Sequence, residues 1–215
     1  MKMIRKLMIG VLVLFVLGAC SSSRYVTDTT PPLIDLRGYR TVAVIDFPVS
    51  GPFAAQNEVT HRFLASIYSA QPGVKILEIG SEQQVLGSLG QSSLDIEAIK
   101  QIGQKHGVDA VLTGEMIVTI LSPSLSLDNA LTQLNASSKM KGELNAKVRE
   151  TANGATAWTN GAHGTWTLGG FSMNQTGLTN GKVNDMNAKN EEMLSDLIDV
   201  ATRDFRPTYQ RRKVN

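Results

Sequence analysis

The sequence predicts an α/β fold in which a single mixed sheet is flanked by helices. Three observations predict it. Continuous apolar runs alternate with amphipathic helical stretches between residues 41 and 119, which is the pattern of strands crossing over through helices. The pair Asn153-Gly154 then separates two strand-like stretches, so an antiparallel hairpin completes the sheet. A last stretch, Asn190 to Phe205, carries its apolar residues on one helical face. The expected order is β-α-β-α-α-β-β-β-α.

Each element has its own local reason. Thr41 to Phe47 is a continuous β-branched and apolar run, which suits a strand buried on both faces. Pro48 to Pro52 is a loop by composition. From Phe53 to Ala70, Val59, Phe63 and Ile67 recur every four residues with Leu64 beside them, a helical face that Gln71-Pro72-Gly73 ends. Val74 to Ile79 is the second strand. Ser81 with Gln84 three residues on has the form of a capping box and opens a helix with Val85, Leu86 and Leu89 inward and Gly90 at its end. Asp95 to His106 follows as another helix with Ile96, Ile99 and Ile102 on one face, closed by Gly107. Val108 to Thr119 is the third strand, and Gly114 within it marks a bulge or a close approach. Lys141 to Glu150 and Ala155 to Leu168 form the hairpin. In the last helix Met193, Leu194, Leu197, Ile198 and Ala201 face inward, and Glu191 and Glu192 fall in the first turn, where the helix dipole favours negative charge.

Two stretches, 121–138 and 169–188, fit none of these elements and are read as long loops, well beyond the usual connection of about 4–6 residues. The folded domain is placed at 39–205. Residues 20–38, with Pro31-Pro32 and several Ser and Thr, are read as a flexible tether with an r.m.s. reach of roughly 25 Å; Leu33, Ile34 and Leu36 can pack on the domain as an edge. Residues 206–215, with Arg206, Arg211, Arg212 and Lys213, are read as a basic tail, either solvated or in contact with anionic lipid headgroups or an acidic partner.

The chain opens with Lys2, Arg5 and Lys6, an apolar run from Leu7 to Leu17, and Leu17-Gly18-Ala19-Cys20. That is the layout of a secretory signal, and the run is shorter than the roughly 20 residues of a membrane-spanning helix. Cys20, the only cysteine in the sequence, makes the stretch resemble a bacterial lipobox. The resemblance implies a signal peptide at 1–19, cleavage between Ala19 and Cys20, and an N-acyl chain plus S-diacylglycerol on Cys20. Ser21, where Asp would signal inner-membrane retention, implies an outer-membrane lipoprotein facing the periplasm. With no second cysteine, the domain has to be stable through its core alone.

Composition excludes some partners. There is no basic stripe with interleaved aromatics, so nucleic acid is not expected. Three cations lie in the signal, and the rest of the chain is close to neutral. The search for chemistry gives little. His61, His106 and His163 belong to a helix, a helix end and a strand, without metal-ligand spacing. There is no G-x-S-x-G elbow, and Gly181-Lys182 lacks a P-loop pattern before it. Asp46 follows the first strand, where α/β sites often lie, with a loop or cap residue as the other reading; Asp109, at the start of the third strand, is read as structural, and Trp158 and Trp166 as sheet packing or an exposed aromatic patch. No catalytic residue, cofactor or metal is expected, and the chain is read as a non-enzyme.

The segment Thr41 to Glu115, with its V-A-V-I-D-F strand, Ile102-Gly103, and His106-Gly107-Val108-Asp109-Ala110-Val111-Leu112-Thr113-Gly114-Glu115, resembles the periplasmic α/β domain shared by the curli secretion channel (CsgG), LpoB and the N-terminal domain of TolB. The resemblance covers roughly 41–168 plus the closing helix, and it implies an anticodon-binding-domain/TolB-N-like arrangement. It transfers no catalytic residues, and fold alone does not give function. It implies an outer-membrane-anchored interaction or assembly module of a secretion or peptidoglycan-synthesis complex, with an envelope protein or further copies of itself as partner. Two alternatives stand beside it: a subunit of an oligomeric curli-type channel, whose membrane hairpins would come from 121–138 and 169–188, and an envelope enzyme.

Overall fold

The computed structural model describes residues 24–52, 56–127, 133–174, 177–183 and 185–214. The signal, the proposed cleavage point and Cys20 lie outside the described residues. The chain divides into two compact units, 32–206 and a smaller one that joins residues before Pro32 to those after Arg206.

The larger unit is a mixed α/β structure. Its strands are β2 (Val42–Asp46), β3 (Val49–Ser50), β4 (Ile76–Ser81), β5 (Ala110–Leu127), β6 (Gln133–Glu150), β7 (Thr156–Asn174) and β8 (Gly177–Val183). Its helices are α1 (Gln56–Ala70), α2 (Glu82–Leu89), α3 (Ile96–His106) and α4 (Met186–Ala201). The sheet has seven strands in the order β4-β2-β5-β6-β7-β8, with β3 paired to β5 off that path. β4, β2 and β5 are parallel, and from β5 to β8 every pairing is antiparallel. The expectation of a mixed sheet flanked by helices is met. The order differs from the expected one because β3 and β8 are added here, and β1 (Arg24–Thr30) and β9 (Thr208–Val214) in the smaller unit.

Local chemistry explains the boundaries. β2 is buried on both faces, as its unbroken apolar run requires. Ser81 accepts from the Gln84 backbone N–H while Gln84 returns a bond to the Ser81 backbone, so the capping box forms. Gly90 and Gly107 end α2 and α3 in the left-handed region. A Cβ on Gly114 would lie 2.5 Å from the Phe47 ring, so this glycine marks a close approach and not a bulge. Asn153-Gly154 turns the chain from β6 into β7; Asn153 Oδ1 accepts from the Ala155 N–H at 2.7 Å and Gly154 has φ +74°.

Two cores lie on opposite faces of the sheet. α1 and α4 cover one face, where Phe63, Ile67, Leu194 and Leu197 meet Val44, Leu112, Leu144 and Val148. α2 and α3 cover the other face over β2 and the start of β5, where Ile99, Ile102 and Val85 meet Ala43, Ile45 and Val111. α4 sits directly on β6, and a Cβ on Gly142 would lie 2.7 Å from Met193 Sδ.

Several expectations are corrected. The stretches 121–138 and 169–188 were expected as loops. Where they are described, most of both is sheet, because β5, β6 and β7 run 18, 18 and 19 residues, and β8 and the start of α4 fill the rest. The loop-like residues sit where the ladder tolerates them. The register shifts between Leu121 and Ser124, so Pro123 falls in a bulge and interrupts no regular pairing, and a second shift leaves Leu168 as the extra residue of β7. α4 begins at Met186, capped by Asp185, so Glu191 and Glu192 lie beyond the first turn. Glu191 instead accepts from Arg62 of α1 at 2.6 Å, and Glu192 pairs with Lys189. Ile96 stays half exposed at the start of α3, with Ile99 and Ile102 alone buried.

Part of 20–38, expected as a flexible tether, is also structured. Ile34 and Leu36 are buried in the larger unit while Leu33 is exposed. In the smaller unit β1 (Arg24–Thr30) and β9 (Thr208–Val214) form a two-stranded antiparallel sheet, where a flexible tether and a loose tail were expected.

Candidate functional site

Because α2 and α3 stop over the first part of β5, the same face of β5, β6 and β7 continues without a helix above it. Its rows read across three strands: Glu115, Asn145, Gly161; then Ile117, Glu143, His163; then Thr119, Lys141, Thr165. These residues are exposed or half-buried. Lys141 and Glu143 form an ion pair that holds the Glu143 carboxyl below the usual carboxylate range.

Where this open face meets α2, two shallow clefts share Pro48 and Glu82. One, about 720 Å³, lies beyond the ends of β2 and β4 and is lined by Asp46, Ser81, Glu82, Leu86 and Gln91 among others. The other, about 360 Å³, is lined by Thr113, Glu115, Asn145, Lys147 and Thr159 among others. Thr113 is buried, and its hydroxyl has no hydrogen-bond partner among the described residues. Asp46 follows the first parallel strand, where ligands of α/β sheets often bind, and the structure places it in the lining of the larger cleft. Among the described residues the clefts bring together three carboxylates, Asp46, Glu82 and Glu115, one ammonium, Lys147, and several hydroxyls, and no Ser, His or Cys paired as nucleophile and base.

Beyond the helix-covered region β5, β6 and β7 continue as an amphipathic sheet. On the face that continues from Met140, Leu125 pairs with Ala136 and Leu134 pairs with Met173. Leu125 is 70% exposed and Met173 41%. On the opposite face the Ser124 and Ser137 hydroxyls lie 2.7 Å apart and Ser172 donates to Asn135 Oδ1 at 2.6 Å. Among the described residues one face is therefore apolar and uncovered, and the other is a row of hydrogen-bonded polar side chains. In the sequence Leu121, Leu125 and Leu127 already alternate with serines; the stretch was read as a loop because Pro123 interrupts it, and the structure places Pro123 at a bulge.

The other candidates serve the fold. Asp109 accepts from the Arg40 backbone N–H at 2.7 Å and its guanidinium at 2.9 Å, joining the starts of β2 and β5, and these bonds hold its carboxyl below the usual range. Trp158 donates to Asp204 at 3.0 Å and packs on Phe205 with ring centroids 4.7 Å apart; Trp166 donates to Asp196 at 3.2 Å. Both tryptophans are thus packing residues that fix α4 and the turn after it to the sheet. His61, His106 and His163 lie on α1, the end of α3 and β7, and among the described residues no group of three His, Cys, Asp or Glu can hold a metal ion. No described helix is long and apolar enough to cross a membrane.

Solved structures resemble the chain distantly. The PelC dodecamer from Paraburkholderia phytofirmans is 11% identical with a TM-score of 0.40, covering 85% of this chain and 98% of that one. Lipoprotein GNA1162 from Neisseria meningitidis is 15% identical with a TM-score of 0.35, covering 72% and 93%. The LpoB C-terminal domain from Salmonella enterica is 15% identical with a TM-score of 0.33, covering 71% and 92%. No protein-family model matches the chain, and no curated protein does either.

Proposed function

We propose that this chain is a lipoprotein anchored to the outer membrane through Cys20, with its domain in the periplasm, and that it works as a non-enzymatic docking or assembly module of an envelope complex. The anchor rests on Leu17-Gly18-Ala19-Cys20 and on Ser21. The observation that carries the docking role is the uncovered apolar face of Leu125, Leu134, Ala136 and Met173 at the far end of the sheet. A face of this kind gains about 1.5–3 kcal/mol for each large side chain that a partner covers.

The same alternation favours a second reading, a subunit of an oligomeric channel whose hairpins enter the outer membrane. Length argues against it. Past the bulges, between four and seven described residues of each strand remain, roughly 13–23 Å at 3.3 Å per residue. A membrane strand needs about 9–11 residues because it is tilted. A partner surface fits this length better than a bilayer.

Photocrosslinking from Leu125 and Met173 in intact cells tests the two readings. A distinct envelope protein in the adduct supports the module. A ladder of self-adducts, together with conductance in planar bilayers, supports the channel. Absence of any adduct from either position would remove both.

A further inference from the structure

With one exception, the buried polar side chains among the described residues are bonded. Thr60 accepts from the Phe47 N–H at 2.8 Å, Thr202 donates to the Ile198 carbonyl at 2.7 Å, and Gln71 bonds to three backbone groups. Thr113 is 6% exposed, and among the described residues its hydroxyl has no partner. It lines the smaller cleft, in one row with Lys147 and Thr159. An unpaired buried hydroxyl costs stability, so its place in a cleft wall points to an occupant that pairs with it.

The charge around it points to an occupant independently. Asp46, Glu82 and Glu115 stand along the two clefts against one cation, Lys147. Among the described residues none of the three carboxylates forms an ion pair. Elsewhere in the unit Asp35, Asp109, Glu143 and Asp199 each have a cation beside them. The clefts share Pro48 and Glu82, so they adjoin as one trough from Asp46, past Glu82, to Glu115. The carboxylates are strung along this trough: among the described residues no three acidic, His or Cys side chains gather to hold a metal ion. A matching occupant carries its positive charge along an extended shape. Gln83 and Asn145 add side-chain amides, which suit the N–H and C=O groups of a peptide backbone.

We propose that this trough binds an extended basic segment of a partner protein, with arginine or lysine side chains against Glu82 and Glu115 and Thr113 beneath them. The Thr113 hydroxyl is closed to solvent in the free chain, and a turn about χ1, which exchanges hydroxyl and methyl, brings it to the occupant. The trough and the Leu125 and Met173 row lie on opposite faces of the sheet, so this contact is separate from the apolar docking face and from the anchor.

The test uses the full chain and a labelled peptide of alternating arginine and glycine, read by fluorescence anisotropy, with the glutamine-for-arginine peptide as control. The arginine peptide is expected to bind about tenfold tighter or more, and to weaken with added salt. Glu82→Gln with Glu115→Gln is expected to weaken it about tenfold. Glu78→Gln with Glu97→Gln removes the same charge from exposed positions outside the trough and is expected to change it by no more than about twofold. Thr113→Val keeps the shape and removes the hydroxyl. It is expected to raise Tm by about 2–4 °C and to weaken the peptide about fivefold. Equal binding of the two peptides, equal losses from the two glutamine pairs, or a Thr113→Val chain with lower Tm or full affinity would each overturn the proposal. Tighter binding of spermidine than of the peptide would overturn it in favour of a free polyamine. Leu125→Asp with Met173→Asp is expected to leave peptide affinity unchanged, which keeps failure of this site distinct from failure of the docking face.

Discussion

The side-chain amide of Gln71 donates at 3.0 Å to the carbonyl oxygen of Phe205. The same amide donates to the Ile34 carbonyl at 2.6 Å and accepts from the Leu36 N–H at 2.8 Å. Gln71 is 1% exposed, so one buried side chain just past α1 satisfies three backbone groups from the two ends of the larger unit. Gln71→Leu leaves all three without partners in a site closed to water. The expected loss is about 3 kcal/mol, or roughly 6–12 °C in Tm for a unit of this size. Thermal unfolding of the variant checks this, and a loss well below 1 kcal/mol would mean that the three groups find other partners.

Gly154 carries a second, different constraint. Its φ of +74° places it in the left-handed region, and a Cβ there would lie 2.6 Å from Ile96 Cγ2. Gly154→Ala adds the left-handed cost of about 1–2 kcal/mol to the cost of displacing Ile96 at the start of α3, for a total of about 2–4 kcal/mol. Denaturant titration should show the loss. The double variant Gly154→Ala with Ile96→Ala should recover part of it, because only the backbone cost then remains.

Acid should weaken the clamp between the starts of β2 and β5. The bonds from Arg40 lower the folded-state pKa of Asp109, so its contribution is fully present above the unfolded carboxylate value, near 3.9, and is lost as pH falls through the lower folded value. Wild type is therefore expected to exceed Asp109→Asn in stability at neutral pH, with the gap closing below about pH 4. Added salt should narrow it as well, because Arg40 is largely exposed. A gap independent of pH would assign the effect to packing.

The parts of this fold that could be read in advance are those fixed by local chemistry. The run Val42 to Ile45, the Ser81 and Gln84 box, the glycines at 90 and 107, and Asn153-Gly154 each act within a few residues, and each forms as expected. What could not be read depends on distant pairing. Pro123, and Gly169-Gly170 just past Leu168, look like breaks until the register shows that Pro123 sits in a bulge and that the glycines follow one. Arg24 to Thr30 has no apolar face of its own and becomes a strand only through Thr208 to Val214. The same holds for the site. The clefts beside Glu82 and the Leu134–Met173 row exist only once strands far apart in sequence are neighbours. The proposed lipoprotein signal rests on consecutive residues alone and lies outside the described residues.

That signal yields a direct prediction. Cys20→Ser should give a chain lacking the mass of the acyl groups and displaced from the outer-membrane fraction, with the unfolding midpoint of the described units unchanged. Intact mass and membrane fractionation measure the first two. Unaltered mass and unaltered fractionation in the variant would show that Cys20 is not the attachment point.

The apolar face at the far end of the sheet provides the decisive test of the docking role. Leu125 and Met173 are exposed, lie past the last helix-covered row at Met140 and Trp166, and support no buried neighbour that the cores require. Replacing both with Asp should therefore change Tm little, since exposed substitutions away from special features stay within about 0.5 kcal/mol. If a partner covers this face, the same double variant loses about 2 kcal/mol per side chain and gains two desolvated charges, so affinity should fall at least about 100-fold. Ser124→Ala with Ser137→Ala alters the opposite, polar face at the same height and is the matched control. Loss of partner with Leu125→Asp and Met173→Asp alone identifies the apolar face as the contact. Loss with both pairs would instead point to a hairpin that must be embedded on two sides, as in a barrel whose lumen is lined by the serine face.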